Sequence, residues 1–289
     1  MLGLSEGSEK RLAYGFWRHR EHEVETTMET LAIARENGID HLDTADIYGG
    51  ADGFGASERL LGAIRTRAPE LLKGTFIATK AGIEFGSPYN SSAAYLKAAC
   101  DGSLSRLKVE RLDLFYIHRP DLLTHPAELA ATLDGLVEAG KIAAVGVSNF
   151  TVHQVTALAH FLKAPLRVHQ IEFSAVHVAP LFDGTLDQAM ERGIAVAAWS
   201  PLAGGDLFKD KTPECKRVRE ALTRIGKEHG ATPAAVALAF LQQHPAGVTP
   251  ILGTTNAGRL REALAANALT LTRRDWYAVV EAARGSRMP

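Results

Sequence analysis

Short apolar runs rich in β-branched and aromatic residues alternate with amphipathic helical segments along the chain. The runs with strand character are 11–17, 39–45, 75–80, 112–118, 142–148, 166–172, 194–200 and 249–252. The helical segments that follow them are 22–37, 57–67, 91–107, 127–139, 152–162, 184–193, 232–244 and 259–267. Strands that are apolar on both faces are typical of a parallel sheet covered by helices. Repetition of this unit through the chain predicts an α/β fold, a closed (β/α)8 TIM barrel.

The organisation of the chain indicates one domain. Its 289 residues contain no long linker and no break in composition, so we expect residues 1–289 to form a single barrel domain. One connection, from Pro201 to Thr232, is longer than a βα loop needs and carries an additional helix around 215–229. Long βα loops on a barrel usually cover the ligand.

Composition excludes several classes of partner. The formal net charge is −1, which provides no basic surface for nucleic acid or anionic lipid. The two cysteines, Cys100 and Cys215, have neither disulfide-framework nor zinc spacing. The first ten residues turn polar too early for a signal peptide, and no apolar window is long enough to cross a membrane. We therefore expect a cytoplasmic protein, and without a dimerisation strand at the N-terminus we take it to be a monomer.

Polar residues stand at the ends of three consecutive predicted strands. The second strand ends at Asp43, with Tyr48 just beyond it, the third ends at Lys80 and the fourth at His118. Each residue alone has an ordinary explanation, as a turn cap, a solvated lysine or a packed core histidine. Together they lie at the same depth on adjacent strands, on the face where barrel enzymes carry their active sites.

These residues belong to motifs that carry a family resemblance. HLDTADIYGG (41–50), ATK (78–80), DLFYIHRPD (113–121) and GKIAAVGVSNF (140–150) resemble, in this order, the motifs of the aldo-keto reductase superfamily. The resemblance extends over nearly the whole chain. The glycine-rich segment SPLAGGDLF (200–208) is similar to the bacterial branch of YdhF-like oxidoreductases.

The resemblance implies reduction of an aldehyde or ketone to the alcohol, with hydride from NADPH and a proton from Tyr48. A free phenol, with a pKa of about 10, is a weak acid at neutral pH. The ammonium group of Lys80 would lower the pKa of Tyr48, and Asp43 would keep Lys80 charged and oriented. His118 would donate a hydrogen bond to the carbonyl oxygen of the substrate. Asp46 remains as an ordinary loop carboxylate.

The expected cofactor is a nicotinamide dinucleotide bound without a Rossmann motif, because no GxGxxG follows the first strand. The resemblance implies an extended cofactor across the barrel mouth. Ser148, Asn149 and Gln170 would bind its carboxamide, since amides and hydroxyls offer both donors and acceptors. The expected contacts farther along the chain are Trp199, stacked on the nicotinamide ring, and Ser200 with the backbone of Leu202 at the pyrophosphate.

The segment ILGTTNAGRLREA (251–263) resembles the family's adenosine-phosphate loop. Thr254 and Arg259 would bind a 2′-phosphate, for which a guanidinium is well suited, and Glu262 would meet the adenine edge. Gly253, also in this loop, stands where many relatives carry a lysine. Thr254 and Arg259 favour NADPH as the cofactor, whereas the absence of that lysine weakens the preference and leaves NADH as the alternative.

The substrate is expected to be a small carbonyl compound. Trp17 is the favoured pocket residue beside His118, and Phe16, Phe54 and Phe85 are other apolar candidates. Arg18 and Arg119 lie near the same rim, where they would either attract an acidic substrate or pair with Asp52 and Asp121.

Two rival functions are considered. A nicotinamide-binding sensor or regulatory subunit would use the same fold with little turnover. A metal-dependent hydrolase would use His41, Asp43 and His118, but this spacing supplies one pair of ligands and no further cluster, so we expect no metal.

Overall fold

The computed structural model describes residues 11–209 and 211–289. The expectation about a signal peptide concerns residues 1–10 and lies outside the described residues, as does position 210 of the long loop. The described strands are all parallel and close into a barrel in chain order, which confirms the (β/α)8 prediction. They are β1 (Ala13–Gly15), β2 (His41–Asp43), β3 (Phe76–Ala81), β4 (Leu114–Ile117), β5 (Val145–Ser148), β6 (Leu166–Glu172), β7 (Ala195–Trp199) and β8 (Thr249–Leu252).

Helices follow the strands as predicted, with two additions. They are α1 (Val24–Glu36), α2 (Ala56–Arg67), α3 (Pro69–Leu72), α4 (Ala93–Leu107), α5 (Pro126–Glu138), α6 (Val152–Phe161), α7 (Thr185–Arg192), α8 (Pro213–His229), α9 (Pro233–Gln242), α10 (Ala257–Leu264) and α11 (Arg273–Arg284). The predicted additional helix of the long connection is α8. The short helix α3 and the C-terminal helix α11 were not predicted.

Local sequence explains where several helices begin. Thr232 accepts a hydrogen bond from the Ala235 amide, and Pro233 occupies the first turn of α9, as the Thr-Pro pair predicts. Helix α11 begins with a capping box in which Thr272 and Asp275 satisfy each other's backbone amides. This Thr-x-x-Asp pattern was the signal that could have identified α11 from sequence.

The register of β3, β4 and β5 brings Lys80 opposite Tyr116 and Tyr116 opposite Gly146. A Cβ atom at position 146 would lie 2.5 Å from the Tyr116 ring. Glycine is therefore required there by the close approach of the ring. The ring in turn packs beneath Lys80, whose Nζ lies 5.8 Å from the ring centroid.

The chain divides into two compact units, Tyr14–Gln170 and Ile171–Pro289 with residues 11–13. The core of the first unit includes Leu31, Leu60 and Phe115, all fully buried. In the second unit Phe240 stacks on Trp276, with ring centroids 4.9 Å apart, and accepts a hydrogen bond from the indole N–H through its carbonyl oxygen. None of the helices within the described residues combines the length and the apolar character needed to cross a bilayer.

Candidate active site

The loop after β2 is held by backbone hydrogen bonds that fix the position of Tyr48. The Asp46 amide donates to the Lys80 carbonyl oxygen at 3.0 Å, and the Ser57 amide donates to the Tyr48 carbonyl oxygen at 3.1 Å. Gly49 follows Tyr48 directly, and a Cβ there would lie 2.0 Å from the Gly53 carbonyl oxygen. The first glycine of the GG pair is thus required for the tight return of the chain.

Lys80 is fully buried on β3, and all three of its N–H groups have acceptors. Its Nζ donates to Asp43 Oδ1 at 2.6 Å, to the Thr44 carbonyl oxygen at 2.8 Å and to Tyr48 Oη at 3.3 Å. An ammonium group has three hydrogens, so none remains for another partner. Because the Tyr48 oxygen accepts from Lys80, its own O–H remains available to donate elsewhere.

The electrostatics of this pair follow from burial and from their mutual contact. Burial acts to lower the pKa of Lys80, but Asp43 and Tyr48 outweigh it and leave that pKa raised. For Tyr48, burial is the largest influence and raises the pKa of the phenol, while Lys80 opposes it. Lys80 lowers the pKa of Tyr48 as predicted, but burial raises that pKa by more, so the predicted net lowering is wrong. Tyr48 is a neutral phenol at neutral pH.

His118 follows β4 and lies beside Tyr48, with ring centroids 5.7 Å apart. Burial, Lys80 and Arg119 together hold the pKa of His118 well below its usual value. The imidazole is therefore neutral and carries one N–H donor. Its Nδ1 is buried and makes no hydrogen bond within residues 11–209 and 211–289.

The three residues expected at the carboxamide are brought together at the ends of β5 and β6. Ser148 pairs with Gln170 in register, and the Asn149 amide donates to the Gln170 carbonyl oxygen at 2.9 Å. The Ser148 hydroxyl accepts from Asn149 Nδ2 at 2.7 Å, so its own hydrogen can be donated. Gln170 Nε2 donates to Asp43 Oδ2 at 2.7 Å, which leaves Oε1 as an acceptor. One donor and one acceptor are what a primary amide requires, so these residues fit a nicotinamide carboxamide.

Asp46 is not the ordinary loop carboxylate that the sequence indicated. It is fully buried, and no side chain among the described residues donates a hydrogen bond to its carboxylate oxygens. Burial raises its pKa to about 8, with a further increase from Glu58 and a partial reversal by Arg106. Glu58 itself binds Arg106 Nε at 2.6 Å and accepts from Thr79 Oγ1 at 2.5 Å. The three residues belong to α2, α4 and β3, so the sequence around Asp46 gives no local indication of its surroundings.

At the rim, the predicted substrate residues differ in exposure. Trp17 is 58% exposed, and the Arg18 guanidinium lies 4.9 Å from its ring centroid. Phe16 is fully buried against Tyr14 and His19, so the expectation that it lines a pocket is wrong.

The other rim candidates belong to loops. Phe54 and Phe85 form an edge-to-face pair with centroids 5.9 Å apart. The carboxylate of Asp121 accepts from the amides of Ser91 and Leu123 and from the Thr124 hydroxyl. Asp52 accepts from the Glu21 amide. Both carboxylates thus stabilise loop conformations.

In the second unit, Trp199 ends β7 and the following segment is conformationally unusual. Ser200 and Ala203 have φ values of 49° and 50°, a region that residues other than glycine rarely adopt. Such strain is common at functional sites. Ser200, Ala203 and Gly204 line a cavity of about 370 Å³ within this unit, and Leu202 lies between them in the same segment.

The loop after β8 leads directly into α10. Asn256 caps this helix by accepting from the Arg259 amide at 2.9 Å, and Thr254 Oγ1 accepts from the Asn256 amide. Gly253 and Thr254 are half-buried, whereas the side chains of Arg259 and Glu262 are exposed. An exposed guanidinium near a helix N-terminus is suited to a phosphate.

The hydrolase alternative finds no support in the geometry. Within the described part of the chain, no three His, Cys, Asp or Glu side chains are grouped so that they could hold a metal ion. The carboxylate of Asp43 instead accepts from Lys80 and Gln170.

Comparisons of the sequence and of the structure with known proteins agree on one family. The Aldo/keto reductase family model matches residues 11–284. The chain is 44% identical to the 6-dehydroglucose reductase of Novosphingobium aromaticivorans, over 100% of this chain and 96% of that protein. It is 33% identical to the oxidoreductase YdhF of Escherichia coli, over 96% of this chain and 95% of that protein, which confirms the resemblance to this branch. The crystal structure of a thermostable aldo-keto reductase with the inhibitor epalrestat matches with a TM-score of 0.81 and 25% identity, over 98% of both chains.

Proposed function

Because the chain belongs to the aldo/keto reductase family, an NAD(P)H-dependent group of oxidoreductases, we propose that it reduces an aldehyde or ketone to the alcohol with a proton from Tyr48. The observation that carries this proposal is the assignment of the hydrogens of Lys80. They go to Asp43, to the Thr44 carbonyl and to the Tyr48 oxygen. The Tyr48 O–H therefore remains available to donate to an acceptor such as the carbonyl oxygen of a substrate.

The proton transfer is supported by the electrostatics of Tyr48 and Lys80. Tyr48 is neutral at working pH and holds its proton until negative charge develops on the carbonyl oxygen. As the proton moves to that oxygen, the phenolate that remains lies beside the Lys80 ammonium. Asp43 keeps Lys80 charged in its buried position, since an unpaired buried cation would be strongly destabilising.

His118 is proposed to orient the carbonyl group. Its neutral ring can donate one hydrogen bond to the carbonyl oxygen and cannot supply a second acidic proton at neutral pH. A positioned donor of this kind is typically worth about 10²–10³ in rate. The division of roles is therefore a hydrogen bond from His118 and a proton from Tyr48.

For the cofactor we propose NADPH. When bound, it supplies the hydride. Ser148 and Gln170 offer a donor and an acceptor that fit its carboxamide, with Asn149 holding the Ser148 hydroxyl in place. In the second unit, Ser200 and Leu202 of the strained segment are the proposed contacts for phosphate, and Trp199 the contact for the nicotinamide ring.

The preference for NADPH over NADH rests on the loop after β8. Thr254 and Arg259 are proposed to bind the 2′-phosphate, with Glu262 at the adenine edge and Gly253 allowing close approach of the backbone. Arg259 is exposed at the start of α10, where a phosphate also benefits from the helix dipole.

For the substrate we propose a sugar aldehyde, with the 6-aldehyde of a hexose as the leading candidate. The support is the 44% identity to a 6-dehydroglucose reductase across both chains. Trp17, more than half exposed and two residues beyond β1, is proposed to pack against the apolar face of the sugar ring.

We also propose that residues 1–289 act as one catalytic domain, monomeric and cytoplasmic. The family model supports the first part, because its match runs without a break from residue 11 to residue 284.

The experiment that tests this function is NADPH consumption by the purified protein with a panel of carbonyl compounds. The panel contains 6-dehydroglucose, simple aromatic aldehydes, dicarbonyls and small ketones, each measured with NADPH and NADH. We expect turnover with NADPH and the highest kcat/KM with the sugar aldehyde. Tight NADPH binding without turnover of any compound would instead identify a sensor or regulatory subunit.

A further inference from the structure

Two loops of the first unit are joined by the side chain of Arg20. Arg20 lies after β1, in the loop that also carries Trp17, and its guanidinium reaches the loop after β2. There its Nη1 donates to the Gly49 carbonyl oxygen at 3.1 Å. Gly49 directly follows Tyr48 in the chain, so this contact acts on the backbone next to the proposed proton donor.

The backbone of Arg20 is itself held in place. Its amide donates to the Glu23 carboxylate at 3.1 Å, and its carbonyl oxygen accepts from the Glu23 amide at 3.0 Å. The preceding residue, His19, is buried, and its Nδ1 lies 3.0 Å from the Thr27 hydroxyl oxygen on α1. The guanidinium of Arg20 therefore extends towards Gly49 from a fixed backbone.

Gly50, the second glycine of the GG pair, makes room for this guanidinium. A Cβ atom at position 50 would lie 1.9 Å from Arg20 Nη1. The φ angle of Gly50 is 54°, in the left-handed region that favours glycine. Glycine at position 49 is required by the return of the chain, whereas glycine at position 50 is required both by this φ angle and by Arg20.

A second arginine holds the far end of the loop after β2. Arg59 on α2 binds both carboxylate oxygens of Glu21, at 2.9 and 2.8 Å, and donates to the Phe54 carbonyl oxygen at 2.8 Å. The Glu21 amide in turn donates to Asp52 Oδ2 at 2.9 Å. These contacts do not involve the Arg20 side chain. Its loss should therefore loosen the part of the loop beside Tyr48 and leave residues 52–54 attached.

The phenol of Tyr48 is sensitive to a small displacement of its backbone. The distance of 3.3 Å between Lys80 Nζ and Tyr48 Oη is already long for a hydrogen bond. An additional separation of about 0.3 Å would take this pair out of hydrogen-bond range. Misplacement of a reacting group by about 1 Å can cost on the order of 10² in rate.

We propose that Arg20 is a positioning residue for the reduction. Its guanidinium, for which Gly50 makes room, holds the Gly49 carbonyl and thereby keeps the phenol of Tyr48 within reach of Lys80. This role rests on the proposed function of Tyr48 as proton donor. It adds a residue of the loop after β1 that acts on the reaction through the backbone next to Tyr48.

Hydrogen exchange of backbone amides tests the contact without any measurement of catalysis. The amides to follow are those of Tyr48, Asp52 and Ser57, which donate to the carbonyl oxygens of Ala45, Gly49 and Tyr48. We expect Arg20→Met to accelerate exchange of the Tyr48 and Ser57 amides by about 10- to 100-fold, the range for loss of one hydrogen bond from a charged donor. Wild-type exchange rates in Arg20→Met would overturn the proposal.

Single-turnover oxidation of NADPH measures the consequence for the reaction. We expect Arg20→Met to lower this rate by about 10- to 100-fold with nearly unchanged NADPH affinity. Arg20→Lys keeps a charged donor on a long side chain and should recover part of the lost rate. An unchanged rate in Arg20→Met, or no recovery in Arg20→Lys, would contradict the positioning role.

Arg65 on α2 provides the matched control. It is half-buried like Arg20, and its Nε also donates to a backbone carbonyl oxygen, that of Leu107, at 3.2 Å. Arg65→Met should leave the exchange of the Tyr48 amide and the single-turnover rate unchanged. Equal effects of Arg65→Met and Arg20→Met would reveal a general loss of stability and contradict the proposal.

The two readouts distinguish this inference from the proposed function. If wild type reduced no carbonyl compound, hydrogen exchange in Arg20→Met would still show whether Arg20 holds the backbone beside Tyr48. Normal reduction by wild type with unaltered exchange in Arg20→Met would leave the proposed function intact and remove the role of Arg20.

Discussion

Lys80 shows how a single buried side chain determines the chemistry of its neighbours. A charge taken out of water is costly unless every hydrogen finds an acceptor. Lys80 meets this condition with Asp43, Thr44 and Tyr48, and the consequence is that the Tyr48 O–H is left for another acceptor. This arrangement of the lysine supports the proposed role of Tyr48 as the proton donor.

Asp46 is the opposite case, a buried carboxyl group to which no side chain among the described residues donates a hydrogen bond. Its pKa of about 8, against an ordinary value of 3.8, means that the folded state binds a proton that the unfolded state releases. Folding stability contributed by this group therefore falls as the pH rises from about 4 to about 8. Asp46→Asn, nearly identical in shape, has no proton to lose and should escape this cost.

We predict that Asp46→Asn is more stable than wild type, by on the order of 3 to 5 kcal/mol near pH 8 and much less near pH 5. Urea unfolding of both proteins at several pH values measures the difference. Titrating groups that do not interact with Asp46 contribute equally to both proteins and cancel, whereas Glu58, the carboxylate that interacts with it, is the group to consider besides Asp46. A constant difference between the two proteins across this pH range would show that Asp46 ionises normally.

The grouping of Asp43, Tyr48, Lys80 and His118 was predictable from sequence because they stand at or just beyond strand ends in a fixed order; their catalytic role stays a proposal. The environment of Asp46 was not, because Glu58 and Arg106 reach it from α2 and α4. The contact between Gln170 and Asp43 joins residues 127 positions apart and has no local signal either. Tyr116 could have been found, since it precedes His118 by two residues and so faces the same side of β4.

At the scale of elements, the packing of β4 against β5 fixes the position of the Tyr116 ring next to Lys80. Gly146 leaves space for the Tyr116 ring, and that ring lies under Lys80. We predict that Gly146→Ala destabilises the protein by about 1–3 kcal/mol, as expected for overpacking of a core. It should also lower kcat, because the displaced ring pushes against Lys80.

The control for this substitution is Gly135→Ala in α5, where an added Cβ has no atom within 4 Å. Alanine in a helix interior should stabilise the protein by about 0.5–1 kcal/mol. Denaturant unfolding and steady-state rates of both variants give the comparison. Equal stability and activity of the two variants would contradict the assigned role of Gly146.

The presence of each strand and helix was predicted more reliably than the residues at which it begins and ends. Most strands are shorter than the apolar runs that indicated them; β1, for example, covers Ala13–Gly15 within the run 11–17. Apolar residues beyond a strand still pack in the core, as Leu12 and Phe16 do, so hydrophobicity alone does not mark the end of the ladder. Helix α11 was not predicted, although its capping box is a local signal. It lies after the eighth predicted strand–helix unit, where the repeated pattern gives no reason to expect another helix.

At the scale of the whole molecule, the order of strands confirms the barrel that the repeated pattern predicted. The interpretation of residues 1–289 as a single domain stays a prediction. Cofactor choice is a property that can be tested on the intact chain, because a ligand that binds the folded state raises the melting temperature.

We predict that NADPH at about 100 times its Kd raises Tm by roughly 5 °C, and that NADH at the same concentration raises it less. Arg259→Ala should reduce the NADPH shift to that of NADH. Arg261, also exposed on α10, provides the matched control: Arg261→Ala should leave the difference between the NADPH and NADH shifts intact. An NADPH shift that survives in Arg259→Ala would place the 2′-phosphate elsewhere.

The measurement that tests the central claim most directly compares wild type with Tyr48→Phe in NADPH affinity and in kcat/KM for the best aldehyde of the panel. The substitution removes one hydroxyl and keeps the ring beside His118. We predict nearly unchanged NADPH binding and a loss of about 10²–10⁴ in kcat/KM, the range of a general acid. A variant that retains wild-type kcat/KM would contradict the assignment of Tyr48 as the proton donor.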